Sequence, residues 1–203
     1  IFASLGRTNM NKIAIIIPSR LDAQRLPNKP LKLINKKEMI LHVYEAAQKS
    51  NVGEVYVATP DQEIVNLIKN FGGKVFITSK IHATGTDRIF EVFEKSLKSE
   101  PELIVNLQGD MPNIDPLAIS NLVSYVRDNK CDIGTLASKL RSSEEEQNPN
   151  VVKVSVKKRL SEGTFGDAID FFRINSNSND FLYHHIGIYV FTNKALMRYV
   201  SLK

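Results

Sequence analysis

The sequence predicts a doubly wound α/β fold: a mostly parallel sheet with helices on both faces, and a smaller β-rich lobe after about residue 150. Three observations predict it. Strand and helix patterns alternate from Met10 onward, as the crossovers of a parallel sheet require. The run at 13–17, IAIII, is continuously apolar rather than alternating, as in a strand covered on both sides. Polar loops follow the strands, at the sheet end where open α/β sheets bind ligands.

Each element has its own signal. After the strand at 13–17, the helical spacing of Ile40, Val43, Tyr44 and Ala47 predicts a helix over 39–48. A strand at 55–58, a helix over 61–71 and a strand at 74–78 follow, then a helix over 88–97, a strand at 103–106, a helix over 116–128 and a strand at 132–140. The segment 142–150, SSEEEQNPN, lacks apolar periodicity and reads as a surface helix plus loop at an internal boundary. Beyond it come a strand at 151–156 and a β-rich run at 186–191, in a lobe taken to stay β-rich to its end. The organisation read from this is a leader or cloning remnant at 1–9, an α/β lobe at 10–150 and a second lobe at 151–203.

Composition removes several function classes. With 42% hydrophobic and 24% charged residues, the chain of 203 residues is an ordinary globular one, not a disordered or rod-like one. The longest aliphatic run, five residues at 13–17, is far short of the roughly 20 needed to span a bilayer. The charge of +5 comes from dispersed Lys and Arg without a basic block or aromatic RNA motif, so nucleic acid is not the expected partner. Cys131, the single cysteine, has no disulfide partner in the chain, fits a reducing compartment and is read as a small buried hydrophobe.

Three strand ends carry the chemistry. The loop 18–31, PSRLDAQRLPNKPL, sets Arg20, Arg25 and Lys29 among Pro18, Pro27 and Pro30. Fixed cations suit a polyphosphate, although a solvated basic loop has the same composition. The turn 82–88, HATGTDR, offers Thr84, Gly85 and Thr86, with Thr86 or Asp87 as the candidate cap of the next helix; an ordinary capped turn reads the same way. At 106–112, NLQGDMP, Gln108 and Asp110 leave a strand end, and a carboxylate there suits Mg²⁺ with phosphate oxygens, or plain turn chemistry. His42 on the first helix reads as packing or surface, and His184 as an exposed neighbour of His185.

In order and spacing these motifs, with NPNVVK at 148–153 and HIGIY at 185–189, resemble the 3-deoxy-manno-octulosonate (Kdo) cytidylyltransferases, the CMP-Kdo synthetases. The resemblance implies a cytoplasmic homodimer that uses Mg²⁺ to join CTP and Kdo into CMP-Kdo, with release of pyrophosphate, for lipopolysaccharide synthesis. It implies that 10–150 binds the nucleotide and 151–203 the sugar and the dimer partner. Arg20, Arg25 and Lys29 match the triphosphate loop, and His82, Thr84, Gly85, Thr86 and Arg88 the segment around the cytidine. Asp110 matches the metal carboxylate, while Gln108, Arg173, His185 and Tyr189 match positions facing the acidic sugar. Tyr189 is expected to bury its ring in either case. The alternatives are a cytidylyltransferase for another acidic sugar such as sialic acid, and an inactive nucleotide-binding homologue.

The chain also departs from the family pattern. Met111 stands where the family usually has an acidic residue, and Asp170-Phe171-Phe172-Arg173 is followed by INSNSND rather than by Ile-Pro. The family's Glu-Gln pair and late aspartate would lie beyond Lys203, so the 203 residues are expected to be a fragment or a shortened copy that binds CTP and turns over slowly.

Overall fold

β-Branched side chains favour extended backbone, and an uninterrupted apolar run leaves no face for water, so the run at 13–17 belongs inside a sheet. In the computed structural model, which describes residues 12–22, 26–174 and 180–202, this run forms β1 (Ile13–Pro18). Ile15, Ile16 and Ile17 are fully buried, and each burial contributes on the order of 1.5–3 kcal/mol. Two compact units divide the chain: one runs to Gly134 and resumes at Ile188, and the other is Thr135–Gly187.

In the first unit β1 pairs in parallel with β4 (Glu54–Thr59) on one side and β6 (Leu103–Leu107) on the other. β4 pairs in parallel with β5 (Lys74–Ile77), and the Ile188–Thr192 end of β10 (Phe181–Thr192) runs antiparallel to β6. The order β5-β4-β1-β6-β10 is therefore mostly parallel and belongs to the predicted class. Side chains alternate across a strand. Ala14 and Ile16 accordingly pack with Ile89 of α3 (Gly85–Glu91), with Val92 and Phe93 of the π-helical turn Val92–Ser96, and with Leu196 of α6 (Asn193–Ser201). α1 (Met39–Lys49) packs along β4 and against α4 (Pro116–Asp128), and α4 packs along β6. α2 (Gln62–Asn70) lies between β4 and β5 in the chain and packs along both, and the ring of Phe71 just beyond it meets Tyr44 of α1 edge-on at 6.1 Å.

Several elements differ from the sequence reading. A short hairpin, β2 (Leu33–Ile34) and β3 (Lys37–Glu38), precedes α1. It turns on Asn35 and Lys36, both at positive φ as a tight two-residue hairpin demands. The helix expected over 88–97 begins at Gly85 and changes to π geometry at Val92. The chain does not stay β-rich to its end, because α6 follows β10: Thr192 Oγ1 accepts from Ala195 N–H at 3.2 Å, and Ala195, Leu196 and Val200 give it an apolar stripe. Cys131 is half-buried rather than buried, just past the end of α4.

In the second unit β8 (Lys153–Val156) pairs antiparallel with the Phe181–His184 part of β10 and with β9 (Ala168–Phe172). β9 carries no local signal of its own, since nearly all of it is exposed and no apolar alternation marks it; the resemblance alone implies a strand ending at Arg173. β7 (Ile133–Ser138) also pairs with β10, and α5 (Ser143–Gln147) is capped by the Ser142 side chain. The apolar cluster here is small: Val154, Val156 and Tyr183 with Leu160. Tyr183 completes it by accepting from Leu160 N–H at 2.7 Å and donating to Leu160 O at 3.2 Å.

Candidate functional site

From β1 the chain moves outward to β4 and β5, then crosses back to β6 on the other side of β1. Such a reversal opens a crevice beyond the carboxyl ends of the two strands that flank it. A cleft of about 320 Å³ lies there, lined by Pro18, Ser19 and Arg20 after β1, by Lys29 and Pro30, by the 82–85 turn and Arg88, and by Gln108, Gly109 and Asp110 after β6. Two glycines let its walls approach Pro18 closely. A Cβ at Gly109 would lie 3.0 Å from Pro18 O, and one at Gly85 would lie 3.1 Å from Pro18 Cγ. A larger cavity of about 670 Å³ near Lys12 and Leu103 sits at the starts of β1 and β6, away from this crevice.

The basic loop is held by backbone contacts. Leu21 N–H donates to Asp61 Oδ2 at 2.8 Å, and Leu21 O accepts from Asn28 N–H at 3.1 Å. Asn28 takes a left-handed conformation, after which Pro30 is buried in the 3₁₀ turn Lys29–Leu31. Lys29 Nζ reaches Asp110 Oδ2 at 2.7 Å, which joins the first and third motifs directly. Arg20 is exposed in the cleft wall, and Arg25 lies outside the described residues.

In the second motif, Thr84 caps α3 rather than Thr86 or Asp87. Its hydroxyl accepts from Asp87 N–H at 3.2 Å, and the Asp87 carboxylate accepts from Thr84 N–H at 2.9 Å in return. Arg88 is buried, and its Nη1 donates to Thr78 Oγ1 and, at 2.8 Å, to Ser79 O. Burial, and then the nearby Arg20, lower its pKa. Thr86 is tied to the third motif through Asn106: Asn106 Nδ2 donates to Thr86 Oγ1 at 3.1 Å, and Asn106 Oδ1 accepts from Gln108 Nε2 at 2.9 Å.

Asn106, Asp61 and Ser19 are not among the candidates that the sequence offers. Asn106 had a visible signal, a lone polar residue within the apolar strand 103–107, and it is fully buried. Asp61 acts across 40 residues and carried none. Ser19 Oγ is buried without a hydrogen-bond partner among the described residues.

The sugar-facing candidates are distributed differently. Gln108 lines the cleft and Tyr189 is half-buried in the first unit, packed against the α3 and α6 side of the sheet, where burial and then Tyr199 push its phenol pKa up. Arg173 and His185 belong to the second unit. Arg173 Nη1 donates to Pro149 O at 3.2 Å and Asn150 O at 3.4 Å. His185 is buried, with Nε2 2.9 Å from Thr135 Oγ1 and the Phe171 ring edge-on at 5.0 Å. His184 is half-buried rather than exposed, its Nδ1 2.9 Å from Glu145 Oε1, and His42 Nε2 meets Ile34 O at 2.9 Å.

Among the described residues no three His, Cys, Asp or Glu side chains converge as a metal cage. The half-exposed carboxylate of Asp110 still fits Mg²⁺, which takes one or two carboxylates and completes its shell with phosphate oxygens and water.

Comparison with known proteins gives a consistent result. The profile of a family described as cytidylyltransferase matches residues 14–203. The 3-deoxy-manno-octulosonate cytidylyltransferase of Rhodopseudomonas palustris is 41% identical over 193 residues, covering 94% of this chain and 78% of its own. The 8-amino-3,8-dideoxy-manno-octulosonate cytidylyltransferase of Shewanella halifaxensis is 38% identical over 195 residues, covering 94% of this chain and 78% of its own. A solved structure of CMP:2-keto-3-deoxy-manno-octonic acid synthetase complexed with CTP superposes with a TM-score of 0.82 at 38% identity, covering 95% of this chain and 78% of that one.

Proposed function

The chain belongs to the cytidylyltransferase family, and from that premise we propose that it activates 3-deoxy-manno-octulosonate with CTP, giving CMP-Kdo and pyrophosphate for lipopolysaccharide synthesis. The observation that carries this reading is the cation-lined cleft at the crevice between β1 and β6, in a chain that superposes on a CTP-bound synthetase.

The anomeric hydroxyl oxygen of the sugar attacks the α-phosphorus of CTP. The bond from that phosphorus to the bridging oxygen breaks, pyrophosphate leaves and the hydroxyl proton passes to solvent. Positioning and fixed charge carry such a transfer, with no covalent enzyme intermediate. Arg20 and Lys29 bind the triphosphate and meet the charge that builds on it, and Arg25 is assigned to the same task by the resemblance. The glycines at 85 and 109 let the second and third motifs pack closely on Pro18, which brings the three motifs to one cleft. Mg²⁺ is the proposed cofactor, held by Asp110, and supplies Lewis-acid stabilisation of the phosphate oxygens. The resemblance assigns the sugar to Gln108, Tyr189, Arg173 and His185, of which Gln108 is oriented inside the cleft wall by Asn106.

A cytoplasmic location and a homodimer complete the proposal. No helix among the described residues is long and apolar enough to cross a membrane. The exposed Ile169, Phe171 and Phe181 of the second unit supply apolar surface for a second copy, which sedimentation would detect.

Pyrophosphate release with each of the four nucleoside triphosphates, with and without Kdo, tests the reaction. Release that needs both CTP and Kdo is expected, and release with CTP and sialic acid but not Kdo would overturn the sugar assignment. The Shewanella halifaxensis relative makes the 8-amino sugar the second reading, tested in a parallel arm.

A further inference from the structure

Three contacts that the reaction does not call for converge on the loop between β5 and α3. Glu91 Oε2 accepts from Ser79 N–H at 2.9 Å and lies 2.6 Å from His82 Nε2. Arg88, three residues earlier on α3, donates from Nη1 to Ser79 O at 2.8 Å. Residues three apart share a helix face, so one face of α3 grips the Ser79 backbone by both its N–H and its C=O. The same guanidinium nitrogen holds Thr78 Oγ1, and Thr78 N–H bonds Thr59 O at 3.0 Å, which ties the start of the loop to the sheet.

These groups are placed to resist exchange with water. Arg88 and Thr78 are buried, and the Glu91 and His82 side chains are 17% and 15% exposed. Burial alone would raise the Glu91 pKa. The Ser79 N–H, His82 and Lys95 outweigh it and hold the carboxyl below its ordinary range, so the charged form is the one that grips.

The loop so gripped is one wall of the cleft, through His82, Ala83 and Thr84. The exposed cations Arg20 and Lys29 belong to the loop after β1. The 82–84 wall presents a methyl, a hydroxyl engaged by Asp87 and an imidazole engaged by Glu91, none of them cationic groups free for phosphate, a surface suited to the nucleoside part of a nucleotide rather than to its phosphates.

We propose that Glu91 is a positioning residue for nucleotide recognition: with Arg88 it fixes the Ser79 peptide and His82, and thereby sets the wall that meets the nucleoside half of CTP. The inference rests on the CTP reading given above. It separates two recognition tasks, with phosphate held by the basic loop and nucleoside held by a wall that α3 braces.

The experiment compares the affinities of CTP and of inorganic tripolyphosphate, which lacks the nucleoside, for the wild-type chain, Glu91→Ala and Glu91→Gln. Glutamine keeps an acceptor for Ser79 N–H and loses the charge toward His82. Glu91→Ala is expected to weaken CTP about tenfold or more and to change tripolyphosphate less than about twofold, with Glu91→Gln between Ala and wild type. In turnover the loss appears in KM for CTP rather than in kcat. Equal weakening of both ligands would make Glu91 a mere structural prop and overturn the proposal, as would unchanged affinity for both. Should Glu91→Ala fail to fold, the same two criteria apply to Glu91→Gln. Tripolyphosphate binding without CTP binding in the wild-type chain would overturn the nucleotide reading itself, and the role of Glu91 with it.

Discussion

In the cleft, Arg20 is exposed, and Lys29 and Asp110 meet each other at 2.7 Å with 36% and 54% of their side chains in solvent. In the Thr135–Gly187 unit, Lys153 is wholly buried, and its ammonium donates to the carbonyls of Asn148 and Val151 at 3.0 Å each and to Arg173 O. Both regions are rich in charged and polar side chains, but in the first they line a cleft, whereas in the second Lys153, Arg173 and Thr135 are committed to backbone carbonyls. There they satisfy carbonyls, most of them on the loops that flank β8 and β9: Lys153 three of them, Arg173 two, and Thr135 one at Ile186. Residue type therefore does not separate binding groups from structural ones. Whether they are already spent on backbone carbonyls does.

The strongest way to break this contrast is to remove the buried ammonium. Lys153→Met keeps most of the volume and leaves the carbonyls of Asn148, Val151 and Arg173 without their donor, at an expected cost of about 3 kcal/mol. That corresponds to about 6–12 °C in melting temperature for a chain of this length. A drop under about 2 °C would mean that water replaces the lysine at little cost.

Asp110→Asn tests the opposite case, a polar group committed to chemistry rather than to the fold. Turnover in Mg²⁺ is expected to fall by on the order of a hundredfold while the melting temperature stays within about 2 °C, because a neutral amide is a poor Mg²⁺ ligand and the carboxylate is half in solvent. Ordinary Mg²⁺ dependence in the variant would remove Asp110 from the metal site. Lys29→Met belongs to the same class with a smaller effect. Titration calorimetry should show CTP affinity reduced about tenfold, the lower end for a charge-assisted contact because the ammonium is exposed to screening.

The sequence reading reached the cleft more fully than the second unit, for the same reason that the two regions differ. Arg20, Lys29, Thr84, Gly85, Gln108 and Asp110 sit on loops that leave buried strands, and a continuous run such as Ile13–Ile17 announces both the strand and the position of its ligand end. The braces behind them act at a distance in the chain, as Asp61 does for Leu21, and no local spacing reveals such a pair. α6 is hidden by composition, having few buried residues, and β9, mostly exposed, is implied by the family pattern alone. Arg173 and His185 entered through a family pattern alone, and their hydrogen bonds to Pro149, Asn150 and Thr135 were not readable from it.

His185 sharpens the comparison through pH. With the Thr135 hydroxyl donating to Ile186 O, the Nε2–H of His185 is the donor to Thr135 Oγ1, and burial, followed by His184, lowers the His185 pKa. The unfolded chain binds its proton near the ordinary histidine value of about 6.5, before the folded chain does. The stabilisation is therefore complete above about 6.5 and is lost as pH falls below it, at no more than about 1.4 kcal/mol per pH unit. Melting temperatures recorded between about pH 5 and 7 should fall on the acid side in the wild type and fall less in His185→Gln, which cannot take up that proton. An equal acid slope in both would show that His185 is not held neutral by the fold.

The smallest effect is expected at Ser19, whose hydroxyl fits neither half of the comparison. It belongs to the cleft wall, yet it is buried, and among the described residues it has no hydrogen-bond partner. A buried hydroxyl without a partner costs about 1–3 kcal/mol in desolvation, while its removal to a methyl leaves only a small void. Ser19→Ala should therefore raise the stability of the free protein, by about 0.5–1 kcal/mol or roughly 1–4 °C. If bound nucleotide supplies the missing partner, saturating CTP will raise the melting temperature of the wild type more than that of Ser19→Ala, and the two curves will approach one another. A variant that melts below the wild type without CTP would show that the hydroxyl is already satisfied, which would place Ser19 with the committed groups of the fold rather than with the cleft.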